Sequence, residues 1–295
     1  MATAAAVIAR PIEPEQASLW SDAWRRLRKN RLALVATVYL ILLVAVALVA
    51  LVWTPYRMSA VGVAVTYAGP SAAHPLGVDE LGRDILSRLM VGAQVSLVVG
   101  VGTQILVLVV GVPIGLLAGY YRGWFDTFIS FVINVFYGIP DILVAMIMVF
   151  LLGPSLTNII IAIVATRWMD MARLVRGQAM SLREREFVEA GRAAGARPFR
   201  MLFGHILPNA LGPIIIQATL GIPAAILFEA FLSFLGVGVQ PPTPSWGSMA
   251  NEGVQAIQYA PHMVLFPSIA LSLTLMAFNF LGDGLRDALD PRSRR

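Results

Sequence analysis

The sequence predicts an all-α integral membrane protein with six transmembrane helices and both termini in the cytoplasm. Three observations carry that prediction. Of the 295 residues, 58% are hydrophobic and only 13% charged, with a mean hydropathy of +0.75; soluble domains carry roughly 25% charged residues. Uncharged apolar runs of bilayer-crossing length recur along the chain. Arginine and lysine gather on alternate connections, which sets the orientation. In lipid the backbone must satisfy its own hydrogen bonds, and at these lengths that leaves helices.

Residues 1–16 show no periodicity and read as a disordered tail. Residues 18–31 carry five basic residues, with Trp20 and Trp24 on one face. They read as an interfacial helix anchoring the first span, with a solvated basic helix as the alternative. The first span is 32–53, too long for a signal-peptide core and without a small-residue cleavage site after it. The second is 91–121. The stretch 127–166 is twice a span's length and is divided by Gly153-Pro154, so it holds the third span and most of the fourth. The third is read as one helix climbing from about Phe128 to Leu152. The fifth is 206–239 and the sixth 263–281. Residues 32–286 thus form one membrane domain, with outer loops at 54–90 and 240–262, an inner loop at 176–207 and an inner tail at 287–295. Arg25, Arg26, Arg28, Lys29 and Arg31 precede the first span, and Arg173 through Arg200 follow the fourth. The outer side holds only Arg57, Arg83 and Arg88.

Composition also excludes chemistry. There are no cysteines, hence no disulfides or thiolate metal sites. Lys29 is the only lysine, and a phosphate-binding P-loop needs one after its glycines, so the chain is read as non-catalytic. His74, His205 and His262 are scattered without ligand spacing, and no metal is expected. The net charge of +5 reflects the inner-face bias and does not point to nucleic acid.

The most informative segment is FVEAGRAAGARPFRMLFGHILPN, residues 187–209. Phe187, Val188, Ala190 and Ala194 read as one face of a short helix, which Gly195 ends. Pro198 suits the first turn of a second short helix, and Pro208 reads as its stop. Two stubby helices would make a rigid knob; an amphipathic connector on the membrane surface is the alternative. On Glu189, Ala190, Gly195 and Leu207-Pro208, this segment resembles the EAA loop of permease subunits in ATP-binding-cassette (ABC) importers. Gly191 stands where a second Ala is usual, and His205-Ile206 shifts the usual Ile by one.

A second segment, HPLGVDELGRDILSRLMVGAQVSL (74–97), contains His74, Pro75, Gly77, Asp79, Gly82, Arg83, Asp84 and Arg88. Locally it reads as a surface helix with Asp79 as N-cap and Asp84–Arg88 as an i,i+4 pair. It resembles the C-type subunit of the dipeptide, oligopeptide and nickel permeases, as do 240–249 and 278–291. The resemblance implies the type I ABC importer permease fold. It implies partners: a second homologous permease, two ATP-binding subunits and an extracytoplasmic substrate-binding protein, in the cytoplasmic membrane of a prokaryote. ATP and Mg would be bound by the ATPase subunits and no cofactor by this chain. Glu189, Ala190, Gly191, Arg192, Gly195, Ala196, Arg197, Pro198 and Phe199 would form the ATPase-coupling surface. Short peptides would be the substrate, with nickel chelates, glutathione or another small solute as alternatives. A proton-driven transporter and a membrane scaffold are the readings from other classes.

Within the bundle, Gly111, Gly115 and Gly119 form a small-xxx-small face suited to close helix packing. Pro113, Pro140, Pro223 and Pro267 are candidate kinks. Asp141, Arg167, Asp170 and Glu229 lie within or near lipid depth, where an unpaired charge costs at least ~2.5 kcal/mol. Counting from the helix ends puts Asp141 and Arg167 at matching depth, as a structural ion pair or as lining of a shared aqueous pathway. The C-terminal segment 278–291 is read as a helix leaving lipid near the knob, with Pro291 as its stop.

Overall fold

The computed structural model describes residues 24–289. The tail at 1–16, residues 18–23 of the interfacial segment, Pro291 and most of the inner tail lie outside the described residues. Among those described the chain is helical: α1 (Arg31–Val49), α2 (Ile85–Tyr121), α3 (Gly123–Tyr137), α4 (Asp141–Leu152), α5 (Leu156–Arg183), α6 (Glu186–Ala193), α7 (Pro198–Met201), α8 (Leu207–Phe234), α9 (Trp246–Gln255) and α10 (His262–Leu289). A π-helical turn, Leu202–Ile206, joins α7 to α8.

By length and composition, α1, α2, the continuous helix Pro198–Phe234 and α10 can cross a membrane. The α3–α4 pair adds a fifth span if counted as one, but it is bent by 89°. This corrects the single climbing third span. Pro140 has no N–H to donate and steers Ile139 away from helical backbone, so the helix stops at Gly138 and restarts at Asp141. Helix α5 has 28 residues but is diluted by Arg167, Asp170, Arg173 and Arg176.

In α1 the buried side chains Ala33, Ala36, Leu40, Leu43 and Ala47 form one stripe, while Val35, Val38, Ile41 and Leu42 are exposed. The stripe meets α10, where the Tyr39 and Thr274 hydroxyls are 3.0 Å apart. Near its end α10 packs on α1 and α8: a methyl group on Gly284 would meet Ala33, and one on Gly282 would meet Leu220. The α10 terminus thus packs on the helices beside it.

The central packing is α2 against α5. A Cβ on Gly111 would lie 2.8 Å from the Trp168 carbonyl, on Gly115 2.5 Å from that of Ala172, and on Gly119 2.5 Å from that of Arg176. The three glycines therefore let two backbones touch along three turns, as small-xxx-small faces do. Helix α2, at 37 residues, is roughly 55 Å long and outreaches a ~30 Å hydrocarbon core. It starts six residues before the apolar run because Asp84 caps it, accepting from the Ser87 amide at 2.8 Å. Asp79 is not the N-cap.

Between α5 and α8 the chain turns through the segment 184–206. Helix α6 ends in a Schellman motif: the Ala196 amide donates to the Gly191 carbonyl at 3.0 Å and the Gly195 amide to that of Arg192 at 2.9 Å. Gly195 sits at φ +79°, the left-handed backbone this motif requires. Pro198 begins α7 as expected. Pro208 does not stop the helix; the turn before it widens, with the Leu207 amide reaching the Leu202 carbonyl. Proline cannot donate and its ring crowds the carbonyl four residues back, which the wider turn accommodates. So only α6 is a free-standing short helix, and α7 is the first turn of a long one.

Gly115→Ala is expected to force α2 and α5 apart and destabilise the fold by about 1–3 kcal/mol. Gly102→Ala, whose added methyl meets nothing nearer than 3.8 Å, should be neutral. Thermal unfolding of the two variants in detergent checks the difference, and equal midpoints would refute the close crossing.

Candidate functional site

The bend at 138–140 places the start of α4 beside the middle of α5. Arg167 Nη2 lies 2.8 Å from Asp141 Oδ2 and its Nη1 is 3.9 Å from Asp170 Oδ2. The Tyr137 hydroxyl donates to Asp170 Oδ1. Arg167 also sits over the Phe228 ring at 5.1 Å, and Arg173 over Tyr137 at 4.3 Å with a hydrogen bond to Asn134 at 3.0 Å. The side chains of Asp141 and Arg167 are 46% and 33% exposed, facing a cavity of about 330 Å³ with Tyr137, Pro140 and Val144. Residues 138–140 are exposed, and Ile139 and Pro140 line the same cavity. Glu229 stands apart. It is fully buried in the helix packing, where Ser233 Oγ donates to its Oε1 at 2.6 Å, and it lines neither cavity that touches Arg167.

A second ion pair was not anticipated. Arg176 of α5 holds Asp126 of α3 through two contacts, one at 2.9 Å. Neither residue belongs to a recognisable motif, and only the three-dimensional meeting of α3 with α5 pairs them.

The segment 186–206 presents a rigid exposed surface. Glu189, Ala190, Arg192, Gly195, Arg197, Pro198 and Phe199 are exposed, Gly191 and Ala196 partly so. Val188, Met201, Leu202 and Ile206 are buried against the α2–α5 core and pin the segment from beneath. Of the expected apolar face only Val188 is buried; Phe187, Ala190 and Ala194 point outward, because α6 is held by one anchor rather than a stripe. A Cβ on Gly191 would meet Met201 at 3.0 Å, so this glycine seats α6 on α7. Phe199 is 72% exposed and stacks with Phe203 at 4.5 Å.

The outer segment 74–88 is not a surface helix but a buried clamp. Asp79 Oδ1 accepts from the Leu81 and Arg83 amides, both at 2.9 Å, which closes a tight turn. Its Oδ2 meets Arg83 Nε at 2.6 Å and also Arg88 Nη1. Arg88 in turn forks onto Glu252 of α9, at 2.6 and 3.0 Å, and Arg83 Nη2 reaches the same carboxylate at 3.3 Å. Arg88 therefore pairs with Asp79 and Glu252, not with Asp84. Asp84 accepts from Ser87 and holds His74 Nδ1 at 3.0 Å. Gly77 and Gly82 adopt φ of +82° and +69°; a side chain on either would collide with the Ala68 or Ala64 carbonyl. Pro75 lies in the turn that His74 closes, where the Gly77 amide donates to the His74 carbonyl at 2.9 Å. Trp246, wholly buried, donates from Nε1 to the Leu89 carbonyl at 3.1 Å and ties α9 to α2. Glu252 and Trp246 escaped sequence reasoning. No local signal pointed to either, since Asp79, Glu80 and Asp84 already outnumber the two arginines of the segment.

Removing one partner of a buried pair costs about 3–5 kcal/mol. Glu252→Ala is therefore expected to speed hydrogen exchange at the Val63, Tyr67 and Val78 amides, which bond across this loop, by about a hundredfold or more. Glu80→Ala, which removes no member of the clamp, should leave these rates unchanged. Unaltered exchange in the Glu252 variant would refute the clamp.

Comparison with known proteins agrees with this architecture. The model of the family "Binding-protein-dependent transport system inner membrane component" matches residues 111–295, and that of the "N-terminal TM domain of oligopeptide transport permease C" matches 18–70. The dipeptide transport system permease protein DppC of Bacillus subtilis is 44% identical over 94% of this chain and 87% of its own length. The oligopeptide permease OppC of the same organism is 40% identical over 97% and 94%. The glutathione permease GsiD of Pectobacterium atrosepticum is 41% identical over 92% and 91%. Among solved structures, the inward-facing MetNI methionine ABC transporter superposes on 69% of this chain and 96% of its own, with TM-score 0.57 and 22% identity, which establishes the fold alone. With two family models and these relatives matching along nearly all of its length, the chain belongs to the inner-membrane permease subunits of binding-protein-dependent ABC transport systems, in the dipeptide and oligopeptide C-type branch.

Proposed function

We propose that this chain is one of two homologous permease subunits of an ATP-driven importer that carries short peptides across the cytoplasmic membrane of a prokaryote. In this reading it has six spans, with α5 and the bent α3–α4 pair as the fourth and third, and both termini are cytoplasmic. Two ATPase subunits bind ATP and Mg below, and a substrate-binding protein delivers ligand from outside. The observation that carries the reading is the surface 189–200: exposed on top, buried beneath at Val188 and Met201, and continuous with α8. A partner that grips this surface in two arrangements moves the spans between two states, because the differential contact biases the equilibrium. The named activities of the relatives favour peptides, and glutathione is the second substrate reading, since a permease named for it is as similar as those named for peptides.

Backbone at membrane depth is tolerated outside helices only where it is buried in protein or lines water. The exposed break at 138–140 and the half-exposed Asp141–Arg167 pair therefore belong on a pathway or permease–permease face, not on lipid.

Purification from native membranes is expected to bring down ATPase subunits with this chain, and trialanine uptake should require ATP and survive collapse of the proton gradient. Uptake that fails with the gradient would support proton-driven transport instead. Gly195→Val places a branched side chain at left-handed backbone, a cost of about 1–2 kcal/mol. It should lower uptake and ATPase retention together while leaving the membrane helices folded, as read by circular dichroism. Full uptake in this variant would exclude the segment as the coupling element.

A further inference from the structure

Resting on the peptide-import reading, we propose that Asp141, Arg167 and Asp170 form an exchange site for the two ends of a zwitterionic peptide. The ligand's carboxylate takes Arg167, and its ammonium takes the Asp141 carboxylate that Arg167 releases.

Four observations lead there. The Asp141–Arg167 contact is formed but not sealed: both side chains remain partly exposed on the 330 Å³ cavity. Arg167 also borders a second cavity of about 100 Å³ with Gln104, Gln217 and Gly221, so its guanidinium separates two chambers. Its Nε is buried and has no hydrogen-bond partner, leaving donor capacity unused. Two aromatic side chains, Phe136 and Tyr137, line the larger cavity, surfaces that accept peptide side chains without demanding one kind.

Charge arithmetic supplies the selectivity. An unpaired charge at membrane depth costs at least ~2.5 kcal/mol. A lone anion that captured Arg167 would strand Asp141, and a lone cation that captured Asp141 would strand Arg167. A ligand bearing both charges replaces one internal pair by two pairs with itself and strands neither. Asp170, 3.9 Å from Arg167 and held by Tyr137, remains as a counter-ion while the exchange takes place. Extended chains advance ~3.3–3.6 Å per residue, so the termini of a di- or tripeptide reach both groups once the pair opens.

The absence of cysteine allows a direct test. Val144→Cys puts the one thiol of this subunit on the cavity wall. The assembled transporter, purified without its binding protein in nanodiscs, is labelled with a maleimide in the presence of trialanine, N-acetyl-trialanine or trialanine amide. Trialanine is expected to slow labelling at concentrations about tenfold or more below either capped form, since each cap strands a charge. Adding Asp141→Asn should invert the order in favour of N-acetyl-trialanine, and adding Arg167→Gln should favour the amide. Co-purification of the ATPase subunits certifies that each variant is assembled. Equal protection by all three peptides, or no inversion in the variants, overturns the exchange site. Absence of protection while the intact system still imports trialanine also overturns it and leaves peptide import standing. Failure of trialanine import by the intact system, with the protection pattern as expected, overturns the import reading alone.

Discussion

The close contact between α2 and α5 is what the remaining structure depends on. Three glycines on one face of α2 remove the side chains that would hold two backbones apart. The contact fixes the axial position of α5, and α5 carries Arg167, Asp170, Arg173 and Arg176. Every charged contact between α5 and the α3–α4 pair is set by that register: Arg176 to Asp126, Arg173 to Asn134, Arg167 to Asp141. The lower end of the same core, through Val188 and Met201, seats the exposed segment. One packing decision therefore places both the charged cluster and the exposed segment 186–201. A shift of α5 by one turn, roughly 5.4 Å, would misalign all of them together.

Charge is handled differently at the two ends. In the segment 74–88 the pairs are buried: Asp79, Arg83, Arg88 and Glu252 bond to one another and stitch a long loop to α9. Such a network does nothing but hold shape, since every carboxylate is already spoken for. At the bend in α3–α4, by contrast, the pair is half open, with both side chains partly exposed. The same residue types thus serve rigidity in one place and adaptability in the other, and burial distinguishes them.

Much of this was legible in the sequence. The apolar runs located α1, α2, α8 and α10 because hydrocarbon demands length and uniformity, and the glycine repeat named the close face that α2 turns to α5. Equal depth from helix ends brought Asp141 and Arg167 to one level, and the structure has them within 2.8 Å. What failed was local geometry that depends on distant partners. Asp79 looked like a cap, but the turn it closes is shaped by Arg83 and Arg88. Pro208 looked like a stop, yet a widened turn lets the helix run through it. Pro140 is a candidate kink in the sequence, but nothing local sets the 89° of the break. Glu252 was invisible, lying some 160 residues from the arginines it neutralises.

The widened turn at Leu202–Ile206 bears on ancestry as well as shape. A π turn contains one residue more than the α turn it replaces, and each residue of an α-helix advances the phase by about 100°. Residues before it and after it are thereby decoupled in angular register. Lineages can gain or lose a single amino acid here, so the exposed surface of 186–201 and the packing of α8 can change separately.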